Sequence, residues 1–495
     1  MVEKTIKEAV YYAEKHLGLK EEDAIYFTNL LLAYCDAKAP YEGEIDESHF
    51  SSLQVPDEIV DDFVSYFVSK GIDEGEASRK ATYIMGILSP LPSEVNSAFF
   101  SLYRDDPSHA TDYLYRLSIA NDYIAKTKVD KNEAWTATYP SSPSLEISIN
   151  LSKPEKNNKD IAKLVKAPST NSYPRCVLCK ENLGFEGNSH HPARENIRII
   201  PLTLAGGRWY FQYSPYVYYY EHCILFYEKH IPMEISPWTM TCLFDFVDQF
   251  PHFFIGSNSD IPIVGGSILN HEHFQGGAHL LPLLLAKDKE IIPSFYKNTT
   301  ISIVDFYDTA IRLKGTDRDE MLLLASAILE KWLHYNDLEN FIISEDEEGR
   351  HNAITPLLRK NGNQYEMTLI LRNNKCDETY PDGIFHAHKE YHHIKKEGIG
   401  LIEAAGLFIL PARLKRQCLQ VEEVIKKSYS EEEYLKIYPD LKIFKDMIIE
   451  MKEKRMTSRE YINEVCRRIL NNVAVFKNDE KGNSGLHKFL KEVTK

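Results

Sequence analysis

The chain has 495 residues, more than one hydrophobic core usually supports, so two or more domains or a duplicated unit are expected. Its 58 basic against 73 acidic residues leave a formal charge of −15, which argues against nucleic acid or an anionic membrane as a partner, since both favour net positive surface. A hydrophobic content of 43% suffices for globular packing, yet no run approaches the ~20 apolar residues that span a bilayer.

The opening M-V-E-K-T-I-K-E-A-V is charged and amphipathic, unlike a secretory leader. Eight scattered cysteines do not read as a disulfide framework, and a cytoplasmic protein with reduced thiols is expected. From Met1 to about Lys126 the pattern is helical. Ile6, Val10, Tyr11, Ala13 and Leu17 recur at helical spacing, Phe63, Tyr66 and Phe67 form a stripe, and Pro90, Pro92 and Pro107 punctuate the region. Nothing catalytic stands out there, and this helical layer is a candidate surface for homodimer formation.

From Leu145 the period shifts to the apolar-polar alternation of a half-buried strand, which runs into the turn Ser152-Lys153-Pro154-Glu155-Lys156. Such lysine-rich turns are commonly just solvated loops. Next, Cys176 and Cys179 form a C-x-x-C knuckle able to aim two sulfurs at one metal, its partners being histidines elsewhere; a redox pair is the alternative, without a thioredoxin-type context around it. Residues Asn196–Pro201, Arg208–Gln212 and Tyr218–Phe226 read as strands of an antiparallel sheet. Ser236–Phe254 then reads as a helix, with Ser236 as cap and Pro237 in the first position. Asn258 lies in a Gly-Ser-Asn-Ser loop, where it is either a turn former or a phosphate contact.

The stretch D-I-P-I-V-G-G-S-I-L-N-H-E-H-F-Q-G-G, Asp260 to Gly277, is the most informative in the chain. If Ser267–Gln275 is extended, His271, His273 and Gln275 project from one face. The pairs Gly265-Gly266 and Gly276-Gly277 allow close backbone approach, and with Ser267 they offer donors to a phosphate. Beyond Pro282 a second α+β half begins: Ile301–Phe306 and Tyr365–Arg372 alternate as strands, Asp319–Tyr335 is helical, and Ile384–His388 repeats a His-x-His on a strand. The tail from Leu419 is charged and helical, with Ser430 starting a capped segment.

The Asp260–Gly277 stretch resembles the active-site motif of the second class of galactose-1-phosphate uridylyltransferases, members of the histidine-triad superfamily, and departs from it at Asn270, where a small residue is usual. The resemblance implies an α+β chain in three parts: a helical extension at 1–140, a first histidine-triad-like half at 141–281 with antiparallel sheet, and a second such half with a helical tail at 282–495. It implies exchange of UMP between UDP-glucose and galactose-1-phosphate through a uridylyl-histidine, with His273 as nucleophile and Gln275 as an uncharged donor to the phosphoryl group. Histidine in place of Gln275 marks hydrolases of the superfamily.

The resemblance further implies that Lys153 and Lys156 lie near the nucleotide and that Glu403, in Gly398–Gly406, accepts bonds from the hexose. It completes a structural Zn2+ site of Cys176, Cys179, His230 and His271. It also makes His351, His386 and His388 candidates for a second metal or for hexose contacts. Two other readings stay open at this level: another histidine-triad nucleotidyltransferase, such as a dinucleoside polyphosphate phosphorylase, and a non-enzymatic zinc- and nucleotide-binding protein.

Overall fold

The computed structural model describes residues 2–151, 173–188 and 191–494, so Lys153 and Lys156 lie outside the described residues. The chain is α+β, with a helical N-terminal region, antiparallel sheet and a helical C-terminal tail. It divides into two compact units, one of Met1–Lys131 and Lys156–His230, the other of Asn132–Glu155 and Ile231–Lys495. Among the described residues no helix is long and apolar enough to cross a membrane.

In the first unit, the helix Val2–His16 buries Ile6, Ala9, Val10, Tyr12 and Ala13. Tyr12 rather than the expected Tyr11 enters the core. Its hydroxyl reaches the Ala120 carbonyl at 3.0 Å, so burial leaves no polar atom unpaired. Asp57–Ser69 buries Phe63 and Phe67 on one face, while Tyr66 stays half-exposed and donates to the Cys35 carbonyl. Two of the three prolines open helices, Pro92–Asp105 and Pro107–Ala120, where a missing N–H costs nothing. The strands Ile200–Leu204, Gly207–Tyr213 and Cys223–Tyr227 make an antiparallel meander.

The first and third of these strands start later than the sequence suggests, while the second matches Arg208–Gln212 to within a residue at each end. Asn121 and Asn196 exchange amide-to-carbonyl bonds of 2.7 and 3.0 Å. The buried Arg198 guanidinium donates to the carbonyls of Gly86, Ser89, Pro90, Glu195 and Ile197. Before the third strand, Val217 and Glu221 both take positive φ, which breaks the extended run from Tyr218.

In the second unit, Glu133–Tyr139 pairs antiparallel with Ser142–Asn150, which pairs in parallel with Leu407–Pro411. The main sheet of this unit runs His273–Gly277, Phe254–Gly256, Asn352–Asn361, Gln364–Asn373, Ala310–Gly315, Thr299–Val304, Asp288–Ile292, each antiparallel to its neighbour. The helices Pro237–Gln249 and Arg318–Leu333 lie against it. The first is shorter than expected, ending before the strand Phe254–Gly256, and Ser236 opens it by giving its N–H to the Thr239 hydroxyl at 3.1 Å. Trp332 anchors the second helix, its indole N–H donating to the Ala353 carbonyl at 2.9 Å.

Two expectations fail here. Of the predicted Ser267–Gln275 strand only His273–Gln275 is extended, in a strand that continues to Gly277; the residues before it are bends and irregular backbone. Ile384–His388 is not a strand either, because Gly383, at φ +116, turns the chain and Ile384 N–H returns to the Lys375 carbonyl. In the tail, Ser430 caps Glu431–Ile437 as expected, with Glu433 accepting its N–H at 2.8 Å.

Candidate active site

The motif of the second unit is built on loops that end in one short strand. His273 opens that strand, and Gln275, Gly276 and Gly277 pair with Gly256, Ile255 and Phe254 of its neighbour. Pairing on a rigid strand fixes where the imidazole points. His273 is 5% exposed, and its Nδ1–H donates to the His271 carbonyl at 2.8 Å. A carbonyl only accepts, so the proton sits on Nδ1 and Nε2 keeps its lone pair. Burial pushes the imidazole down to about 4, which leaves it neutral at pH 7.

The approach to His273 is pinned from one side by the segment after His230. Met233 N–H bonds the Leu269 carbonyl at 2.9 Å and Glu272 N–H bonds the Ile231 carbonyl at 2.8 Å. Two buried acids of the motif, not singled out in the sequence, add to this clamp. Glu272 accepts from Glu234 N–H at 2.8 Å, while Asp260 accepts from Ile235 N–H at 3.1 Å and pairs with Arg350 at 2.8 Å. Burial, with Asp260 and Glu234 near, raises the Glu272 carboxyl to about 7. Charged residues inside an otherwise apolar and glycine-rich motif were the available signal for this role.

The glycine loop is strained. Ile263, β-branched, sits at φ +73, with Val264 N–H on the Pro262 carbonyl at 2.8 Å, a tight turn about a residue type that rarely takes it. Strain of this kind persists only where surroundings impose it, and it clusters at functional sites. Gly265 bridges Ser259, and a Cβ there would meet the Ser259 and Ile261 carbonyl oxygens at 2.4 and 2.5 Å. Gly266 leaves room for the Asn258 amide, which a Cβ would meet at 2.6 Å. Ser267 and Asn270 are exposed, so the departure at Asn270 faces solvent.

Asn258, a candidate phosphate contact, is buried, and its side-chain oxygen Oδ1 accepts the Leu401 N–H at 2.8 Å. It thereby joins the motif loop to Gly398–Leu401. Glu403 follows in a short helix, one oxygen paired with the buried Lys395 ammonium at 2.9 Å. Lys395 escaped the sequence reading because a lone lysine in a Lys-Lys pair carries no local mark of burial.

The first unit assembles the knuckle. Cys176 and Cys179 have sulfurs 3.6 Å apart, and Cys179 Sγ lies 3.1 Å from His230 Nδ1. Leu178 N–H points at the Cys176 sulfur, and the Asn182 amide donates to both cysteine carbonyls. The contact with the Cys179 sulfur, aided by backbone N–H groups, lowers the Cys176 thiol to about 7. Tetrahedral zinc with sulfur bonds of about 2.3 Å sets its sulfurs about 3.8 Å apart, so this donor set fits the ion. None of the eight cysteines is joined in a disulfide.

The three histidines considered for a second metal do not come together as one donor set among the described residues. His351 lies with Asp346 and Glu348, but Lys375 already pairs with Asp346, so the negative charge has its counter-cation. His388 stacks on Tyr380 at 4.1 Å, and its Nε2 faces the Ile384 carbonyl at 3.1 Å. His386 is buried with neither ring nitrogen hydrogen-bonded, and burial beside Arg372 holds it near 4.

A neutral imidazole presenting Nε2 from a rigid strand is chemically able to attack phosphorus and carry a transferred group. The sequence matches the family described as galactose-1-phosphate uridyl transferase, N-terminal domain, over residues 46–232 and its C-terminal domain over residues 246–436. Galactose-1-phosphate uridylyltransferase of Caldanaerobacter subterraneus subsp. tengcongensis is 42% identical, over 98% of each chain. Those of Clostridium acetobutylicum and Fusobacterium nucleatum subsp. nucleatum are 40% and 39% identical, with 98–99% of each chain covered. Among solved structures, yeast Ap4A phosphorylase Apa2 aligns with 61% of this chain and 89% of its own at 13% identity and a TM-score of 0.32. The chain belongs to the galactose-1-phosphate uridylyltransferase family and is a nucleotidyltransferase of galactose metabolism.

Proposed function

We propose that the chain exchanges UMP between UDP-glucose and galactose-1-phosphate, giving UDP-galactose and glucose-1-phosphate, in two half-reactions through His273. The observation that carries this reading is the Nδ1–H bond to the His271 carbonyl, which leaves Nε2 as the bare nucleophilic nitrogen of a neutral ring. Nε2 attacks the α-phosphorus of UDP-glucose, and the bond from that phosphorus to the bridging oxygen breaks. Glucose-1-phosphate departs with the electron pair. A phosphate oxygen of galactose-1-phosphate then attacks the same phosphorus, the N–P bond breaks, and the imidazole returns neutral.

Gln275, two residues along the strand, donates its amide to a non-bridging oxygen without drawing away the nucleophile's lone pair. Gly265, Gly266, Ser267, Gly276 and Gly277 supply further donors and space for the phosphates, with Asn258 behind them. Lys153 and Lys156 meet the nucleotide, and Glu403 accepts bonds from hexose hydroxyls. Its pairing with Lys395 supports this last role, since the ion pair fixes the orientation of the carboxylate.

Zinc is held by Cys176, Cys179 and His230, with His271 as the fourth donor. Four nitrogen and sulfur donors close the shell, so the ion serves structure and no step passes through it. The bond between Glu272 N–H and the Ile231 carbonyl supports this set, because those residues directly follow His271 and His230 in the chain. The enzyme acts in the cytoplasm and pairs as a homodimer through its N-terminal helices. The test is a substrate panel: UDP-galactose should form from UDP-glucose and galactose-1-phosphate, with no turnover of diadenosine tetraphosphate. Phosphorolysis of the dinucleotide without sugar exchange would overturn the reading.

A further inference from the structure

Two glycine-bearing loops of the second unit lie against each other: 260–267 of the motif and 398–401 after the second half's last turns. A Cβ on Gly398 would meet the Ile263 carbonyl oxygen at 3.1 Å, and one on Gly400 would meet the Asn258 side-chain oxygen at 2.9 Å. Neither loop has a ladder of its own, so each depends on what lies beneath.

What lies beneath is Arg372. It sits on the strand Gln364–Asn373 and is fully buried. Its Nη2 donates to the Ile399 carbonyl at 2.6 Å, in the middle of the second loop. Its Nη1 approaches the Thr355 hydroxyl at 3.5 Å, and Thr355 in turn meets the Ser259 hydroxyl at 2.9 Å, next to the motif's Gly265 through the Ser259 bridge. A buried guanidinium is costly, and its persistence needs a return. Asp308, the carboxyl whose charge it feels first, is buried too, but neither of its oxygens has a hydrogen-bond partner. The short bond to Ile399 is therefore the firmest attachment of the guanidinium.

We infer that Arg372 is a positioning residue: by holding the Ile399 carbonyl it sets the Gly398–Leu401 loop, and with it Glu403, for the hexose-1-phosphate that accepts the uridylyl group. The link to the motif loop is long and indirect, and UDP-glucose is held by its nucleotide as well as its hexose, whereas galactose-1-phosphate has only its sugar and phosphate. Formation of the uridylyl-histidine at saturating UDP-glucose therefore depends on Arg372 less than capture of the second substrate. The inference rests on the proposed two-step function and assigns Arg372 to its second step.

The test compares the unaltered chain with Arg372→Met and Arg372→Lys. Two quantities are read: uridylyl uptake from UDP-glucose by intact mass, and the KM for galactose-1-phosphate in the release of that group. Arg372→Met should take up one uridylyl group per chain at a rate within about threefold of the unaltered protein, while its KM for galactose-1-phosphate rises tenfold or more. Arg372→Lys, which keeps one donor and the charge, should recover part of that KM. If the methionine variant does not fold, the lysine variant decides, by a KM rise of at least threefold with uptake preserved. An unchanged KM, or uptake and release falling in parallel with no recovery by lysine, overturns the inference. An unaltered chain that takes up no uridylyl group defeats the proposed function, and this inference with it.

Discussion

Gly265→Ala is the substitution for which the structure gives the clearest magnitude. The new Cβ would lie 2.4 Å from the Ser259 carbonyl oxygen and 2.5 Å from that of Ile261. Carbon-oxygen contacts relax at about 3.3 Å, so roughly 0.9 Å of movement is needed. The obstacle is backbone on both sides, and Ser259 is held by Thr355 at 2.9 Å, so the movement falls on the loop leading to Ser267. A displacement near 1 Å costs about 100-fold in rate, or about 2.7 kcal/mol of activation free energy. The assay is the initial rate of exchange between UDP-glucose and glucose-1-phosphate, with thermal unfolding as the control for folding. Gly266→Ala provides the comparison: its Cβ would meet the Asn258 side chain at 2.6 Å rather than two backbone carbonyls, so relief costs the Asn258 bond to Leu401 N–H rather than a backbone shift, and a smaller loss is expected. An exchange rate for Gly265→Ala within threefold of the unaltered chain, at an unchanged melting temperature, would refute the reasoning.

Further expectations concern the knuckle and a buried titrating group. Cys176→Ser should lower bound zinc, measured by elemental analysis against protein concentration, and lower the melting temperature; full zinc in this variant would contradict the donor set. His393 is buried against Tyr461 at 3.1 Å and held near 4 by burial, below its unfolded value of 6.5. The folded state thus binds fewer protons than the unfolded state between those values, and stability rises with pH across that window, by at most about 3 kcal/mol. His393→Gln should shrink the difference in denaturation midpoint between pH 5 and pH 7.5, and an undiminished difference would show that the slope arises elsewhere.

The motif was legible because its chemistry is local. His273, Gln275 and the pair Gly276-Gly277 sit within a few residues on the strand His273–Gly277, while Gly265-Gly266 and His271 lie before it. The extent of that strand was not legible, since the strain at Ile263 and the clamp on Leu269 and Glu272 depend on partners far along the chain. The same holds for Asn196–Ile199, where side-chain amides and Arg198 replace a ladder that alternation alone suggested. The second His-x-His misled for a related reason. Two histidines two apart suggest a strand face, but Gly383 at φ +116 turns the chain just before them. Arg372 and Lys395 carry no local motif, and only the folded chain reveals both buried beneath the loop that holds Glu403.

The account stands most directly on one measurement: the intact mass of the chain after incubation with UDP-glucose alone, followed by mapping of the modified residue, for the unaltered protein and His273→Gly. The account predicts a gain of one uridylyl group on His273 that galactose-1-phosphate removes and that the glycine variant never acquires. A protein that exchanges the sugars yet carries no adduct, or carries it on a residue other than His273, would contradict it.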